Sequence, residues 1–87
     1  MYLIMVYDVN EVRVSKVLKV ARRYLNWIQN SVLEGEITQA KFLKLKSDLK
    51  RVIKENEDSI IFYKLRTTRY LDKEGMGVEK ALEGQII

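Results

Sequence analysis

The chain has 87 residues, 47% of them apolar and 32% charged, with a formal net charge of +4. That length makes one domain, burying roughly 60–65% of the surface its unfolded form exposes, so a second copy is a ready source of further stability. Histidine, cysteine and proline are absent, which excludes disulfides, zinc–thiolate sites, thiol nucleophiles and the usual imidazole base.

Residues 2–7, YLIMVY, predict a short strand of high β-propensity. Both alternating sets are apolar, Tyr2, Ile4 and Val6 against Leu3, Met5 and Tyr7, so this strand requires cover on both sides. Asp8 closes it. From Val12 to Leu25 the period turns helical. Val14, Val17, Leu18, Ala21 and Leu25 make the apolar stripe, with Lys16, Lys19 and Arg23 opposite. NWIQNSVLEGEI then reads as two strands near 25–29 and 31–37, the polar Gln29–Asn30–Ser31 being a tight turn or a bulge between them. Thr38 is the expected N-cap of a second helix over 39–55, which buries Phe42, Leu45, Leu49, Val52 and Ile53. SIIFYKL, residues 59–65, is another strand apolar on both faces. Residues 67–87 predict an arm whose final GQII suits a short strand.

The order β-α-β-β-α-β predicts an α+β, ferredoxin-like domain over residues 1–66, with a four-stranded antiparallel sheet and both helices on one face. The other face is then apolar and uncovered, which is unusual for a monomer. Burying ~600 Å² of it against a second copy contributes on the order of 15 kcal/mol before association costs. The expectation is a face-to-face homodimer, with the C-terminal strand of the arm, 67–87, pairing with the partner subunit. No apolar run reaches the ~18 residues of a membrane span. The first residues lack the basic leader and cleavage site of a signal peptide. A cytoplasmic protein with no membrane partner is expected.

In this topology Asp8 sits where the first strand leaves the sheet. A twofold axis near that strand end would bring it against its symmetry mate, and two carboxylates so close need a cation between them or a raised pKa. Oxygen ligands suit Mg²⁺ or Mn²⁺, which keep much of their water and bridge to phosphate. Such an ion lowers the pKa of bound water and offers hydrolysis without histidine. An aspartate following a strand is, however, more often a turn former or helix cap. Both readings stand on the residues alone.

MYLIMVYDV, then Arg13, RRYLNWIQNSVLEGEIT and IIFYKL together closely resemble the CRISPR-associated Cas-two family, small proteins that partner the Cas-one integrase in acquiring spacers. The pair Tyr7–Asp8 and the block of Gln29, Ser31, Val32, Glu34 and Gly35 carry the resemblance, which runs through residues 1–65. It implies a ferredoxin-like homodimer joined through the sheet faces. It further implies a metal-dependent endonuclease acting on single-stranded RNA or duplex DNA, and an architectural subunit of the integrase complex in which the aspartate is dispensable for integration. Asp8 becomes the Mg²⁺ or Mn²⁺ ligand, one from each subunit, with Tyr7 beside it, Arg13 facing phosphate and Ser31 near the same interface. Leu33 stands where the family commonly has phenylalanine, and Trp27 where some members carry a basic residue. Trp27 reads as packed in preference to a base-stacking platform.

Arg13, Lys16, Arg22, Arg23, Arg66 and Arg69 are the candidate nucleic-acid contacts. The lysines of the second helix are interspersed with Asp48, Glu55 and Glu57 and read as a solvated face. No base-reading device is evident, so RNA or DNA would be held by shape and charge. The alternatives are a toxin-type ribonuclease of similar fold and a purely structural, non-catalytic adaptor. An RNA-recognition motif is disfavoured, because no glycine–aromatic strand signature appears.

Overall fold

The computed structural model describes residues 1–66, 71, 72 and 74–76. Its elements are β1 (Tyr2–Asp8), α1 (Glu11–Ala21), β2 (Asn26–Gln29), β3 (Val32–Glu36), α2 (Gln39–Lys50) and β4 (Ser59–Leu65). The strands form one antiparallel sheet in the order β2-β3-β1-β4. The ferredoxin-like expectation therefore holds. The expected C-terminal strand and Arg69 lie outside the described residues.

The strand β1 occupies the middle of the sheet, between β3 and β4. Leu3, Met5 and Tyr7 are buried on the helix side, in one core with Val17, Ala21, Leu33, Phe42, Leu45 and Leu49. Tyr2, Ile4 and Val6 turn the other way and are only half-buried. Opposite them on β4 stand Ile61 and Tyr63, which keep 49% and 56% of their surface exposed. The sheet thus presents an apolar face that no helix among the described residues covers. At its far end the Tyr2 phenol is pushed up to about 12 by partial burial and by the charge and hydrogen bond of Glu34.

Both helices end earlier than their apolar periodicity predicts. α1 stops at Ala21 and not Leu25, since Arg23 and Tyr24 donate to carbonyls three residues back, tightening the chain into a turn that drops Leu25 into the core. Tyr24 then donates its hydroxyl to Asp48 Oδ2 at 2.6 Å, joining the end of α1 to α2. α2 begins as expected, with the Thr38 hydroxyl accepting from the Lys41 amide. It ends at Lys50 and not residue 55, because the Lys54 amide donates to Asp58 Oδ2 at 2.8 Å instead of to a carbonyl four residues back. The polar interruption between β2 and β3 is both a turn and a bulge. Asn30 adopts φ 42°, and the register shifts between Trp27 and Gln29. Asparagine tolerates that left-handed conformation better than most residues.

Candidate active site

Asp8 is the last residue of β1, paired with Ser59 of β4, and it continues the parity of Tyr2, Ile4 and Val6. Its carboxylate is therefore exposed at the end of the apolar sheet face. It is not the helix cap. That role belongs to Asn10, whose Oδ1 accepts from the Val12 amide at 3.1 Å. Among the described residues Asp8 makes no hydrogen bond or ion pair through its side chain.

The neighbours of Asp8 come from the β2–β3 turn. Tyr7 donates its backbone N–H to the Ser31 carbonyl at 3.0 Å, extending the β1–β3 ladder into the turn. The Tyr7 hydroxyl donates to the Asn30 carbonyl at 3.1 Å, and the Trp27 indole N–H donates to the same oxygen at 3.0 Å. An open cleft of about 470 Å³ results, lined by Val6, Tyr7, Asp8, Val9, Asn30 and Ser31 with Val14 of α1. Burial raises the Tyr7 phenol, so it stays protonated near neutral pH and serves as a donor to the turn.

The remaining candidates are spread out. Arg13, in the first turn of α1, is only 12% exposed at its side chain, its guanidinium taken up by Asp58 and Glu57. Lys16, Arg22 and Arg23 are exposed, the last two beyond the end of α1, about 15 Å along the helix from its start beside the cleft. The Arg22 guanidinium lies 5.8 Å from the centroid of the Trp27 ring, which itself packs against the core. Arg66 follows β4 at the end remote from Asp8, roughly 20 Å along the strand. Tyr7, Asp8 and Ser31 are thus brought together, and the arginines are not. Leu33 is fully buried, placing it in the core and not in the cleft.

A family model described as CRISPR associated protein Cas2 matches residues 1–73. The chain belongs to the Cas2 family. A CRISPR-associated endoribonuclease Cas2 from Dictyoglomus turgidum is 59% identical, with all of both chains covered. One of the same name from Thermotoga maritima is 55% identical over 99% of each chain. Among solved structures, a crystal structure of Cas2 superposes with a TM-score of 0.81 at 44% identity, covering 92% of this chain and 90% of that one. Streptococcus pyogenes Cas2 at pH 6.5 gives 0.73 at 35% identity, covering 86% and 100%. Membership connects the chain with CRISPR systems. No helix among the described residues is long and apolar enough to cross a membrane.

Within this Cas2 fold the polar residues lining the cleft, Asp8, Asn30 and Ser31, bring oxygen ligands and no thiol or imidazole, which suits a hard divalent ion and not a soft one. No group of three or more acidic residues that could hold a metal occurs among the described residues. One chain therefore offers a single carboxylate, and its position at the edge of the uncovered face leaves it open to a second. Sequence reasoning missed Asp58, the buried partner of Arg13. A signal was present: Asp58 directly precedes the apolar run SIIFYKL, as Asp8 directly follows YLIMVY. Antiparallel pairing of those two strands sets both acids at one end of the sheet.

Proposed function

We propose that this Cas2 protein is a metal-dependent endoribonuclease that works as a homodimer, its two Asp8 carboxylates holding a Mg²⁺ or Mn²⁺ ion between the subunits. The observation that carries this reading is the solvent-open, unpartnered Asp8 at the margin of an apolar face that calls for a second copy. The endoribonuclease names of the Dictyoglomus and Thermotoga relatives support the choice of RNA. When bound, the ion supplies an activated water and neutralises charge on the scissile phosphodiester. Asp8 fixes its place. The wall of Asn30 and Ser31, held through Tyr7, gives the nucleic-acid backbone a rigid, polar edge to lie against.

The test compares wild type and Asp8→Asn on labelled single-stranded RNA and duplex DNA, with Mg²⁺, with Mn²⁺ and with chelator. Cleavage of RNA that needs metal and falls about a hundredfold or more in Asp8→Asn is expected. Equal cleavage by both proteins points to a contaminant and ends the enzyme reading.

A second reading, the architectural subunit of a Cas-one integrase complex, is favoured by the exposed Lys16 and Lys19 on α1 and Arg22 and Arg23 just beyond its end. They lie outside the cleft and suit a charge-led grip on DNA. Retention of the integrase in a low-salt pull-down, with spacer acquisition preserved in Asp8→Asn, supports this role. Loss of binding at low salt counts against it.

A further inference from the structure

The Asp58 carboxylate is fully engaged. Its side chain has no exposed surface. Oδ1 accepts from the Asn10 amide at 3.0 Å and from Arg13 Nη2 at 2.9 Å, and Oδ2 accepts from Arg13 Nε at 2.6 Å and from the Lys54 amide at 2.8 Å. One carboxylate thereby joins three segments: the β1–α1 turn, the first turn of α1, and the loop that leaves α2. The next residue, Ser59, is the cross-strand partner of Asp8.

The placement has a consequence for the cleft. As the last residue of its strand, Asp8 has ladder support on one side only. Val9 and Asn10, the two residues after it, must be held from elsewhere or the strand end frays. The Asp58 carboxylate supplies that hold at the Asn10 amide. Arg13 cannot swing out to a phosphate without leaving a buried carboxylate short of its cationic partner, which is costly. A two-point guanidinium–carboxylate contact also fixes direction in a way that a lysine cannot.

We propose that Asp58 is a positioning residue for Asp8, locking the turn that carries it, and that Arg13 serves this lock and does not contact the substrate. The inference rests on the reading of Asp8 as the cation-holding carboxylate. A displacement of the carboxylate by about 1 Å lowers turnover by up to a hundredfold, with substrate affinity little changed.

Four variants of the full-length protein test it: Asp8→Asn as reference, Asp58→Asn, Arg13→Lys and the double Arg13→Lys/Asp58→Asn. RNA cleavage is measured as kcat and KM over a range of salt, and amide hydrogen exchange is followed in the metal-free protein. The lock predicts a kcat about tenfold to a hundredfold lower in Asp58→Asn and in Arg13→Lys, with KM and the salt slope unchanged. It predicts a double variant no worse than the poorer single one, because the pair acts as a unit. It also predicts faster exchange at Asn10 while the amides of Met5 and Leu33 stay protected, which separates local loosening from unfolding. Arg13→Lys cleaving like wild type, or raising KM and lowering the salt slope, overturns the proposal and returns Arg13 to the phosphate. Cleavage lost in Asp8→Asn but intact in Asp58→Asn removes this inference alone. Cleavage intact in Asp8→Asn removes the parent reading as well.

Discussion

Replacing Tyr63 with aspartate tests the proposed homodimer on which the proposed metal site depends. Tyr63 keeps 56% of its surface exposed and Ile61 keeps 49%, side by side with the half-buried Ile4 and Val6. For a tyrosine, that fraction is about 100 Å², so two copies bring roughly 200 Å² of Tyr63 surface to a twofold interface. At about 25 cal/mol per Å², this is on the order of 5 kcal/mol of dimer stability. Dividing by about 1.4 kcal/mol per decade gives a dissociation constant weaker by roughly a thousandfold or more, before the added cost of burying the new charges. Tyr63 is no part of the helix-side core, so the folded subunit survives. Light scattering or sedimentation across the micromolar range is expected to show a dimer for wild type and a monomer for Tyr63→Asp. RNA cleavage should disappear along with the dimer. A wild type that is monomeric at high micromolar concentration refutes the reasoning, as does a monomeric Tyr63→Asp that cleaves at the wild-type rate.

Leu33→Ala removes a fully buried side chain from the centre of the core and should cost about 2–5 kcal/mol in urea denaturation, leaving the cleft residues in place. The Arg13 guanidinium and two backbone amides hold the Asp58 carboxyl well below the usual carboxylate range. A depressed folded-state pKa contributes stability that is present above the unfolded value of about 3.9 and is lost as pH falls below it, so acid melting curves should flatten in Asp58→Asn. Tyr2 behaves in the opposite sense. Its phenol is raised from 10.0 to about 12, so its contribution is complete below pH 10 and is lost as pH rises from there toward 12. Phenolate absorbance should lose a component titrating near 12 in Tyr2→Phe, while the raised phenols of Tyr7 and Tyr24 remain.

The periods of the sequence already contained the element order and the apolar face opposite the helices. Alternation at 2–7 and 59–65 and the stripe from Val14 to Ala21 are local properties that survive folding unchanged. The nearness of Ser31 to Asp8 was implied by the family resemblance and not by period or topology. Helix ends were not legible in the same way. Val52 and Ile53 continue the apolar period of α2 and still pack on the core, yet the helix has already stopped at Lys50. Asp58 takes the Lys54 amide in a reciprocal turn, its own N–H returning to the Lys54 carbonyl at 2.7 Å, and apolar period carries no sign of such a side-chain contact.

Arg13 shows the same division. As a sequence position it is one more cation near an acidic strand end, and a phosphate contact is a fair reading. In the fold its guanidinium meets Asp58, 45 residues away, and a carboxylate becomes that partner only when folding withdraws it from water. Composition and periodicity could say that this chain makes a ferredoxin-like sheet ending in a lone exposed acid, because those patterns depend on near neighbours. Only the tertiary structure could say which charges are spent on holding the fold and which are left to meet a ligand, because ion pairing in a folded chain is decided by distance in space.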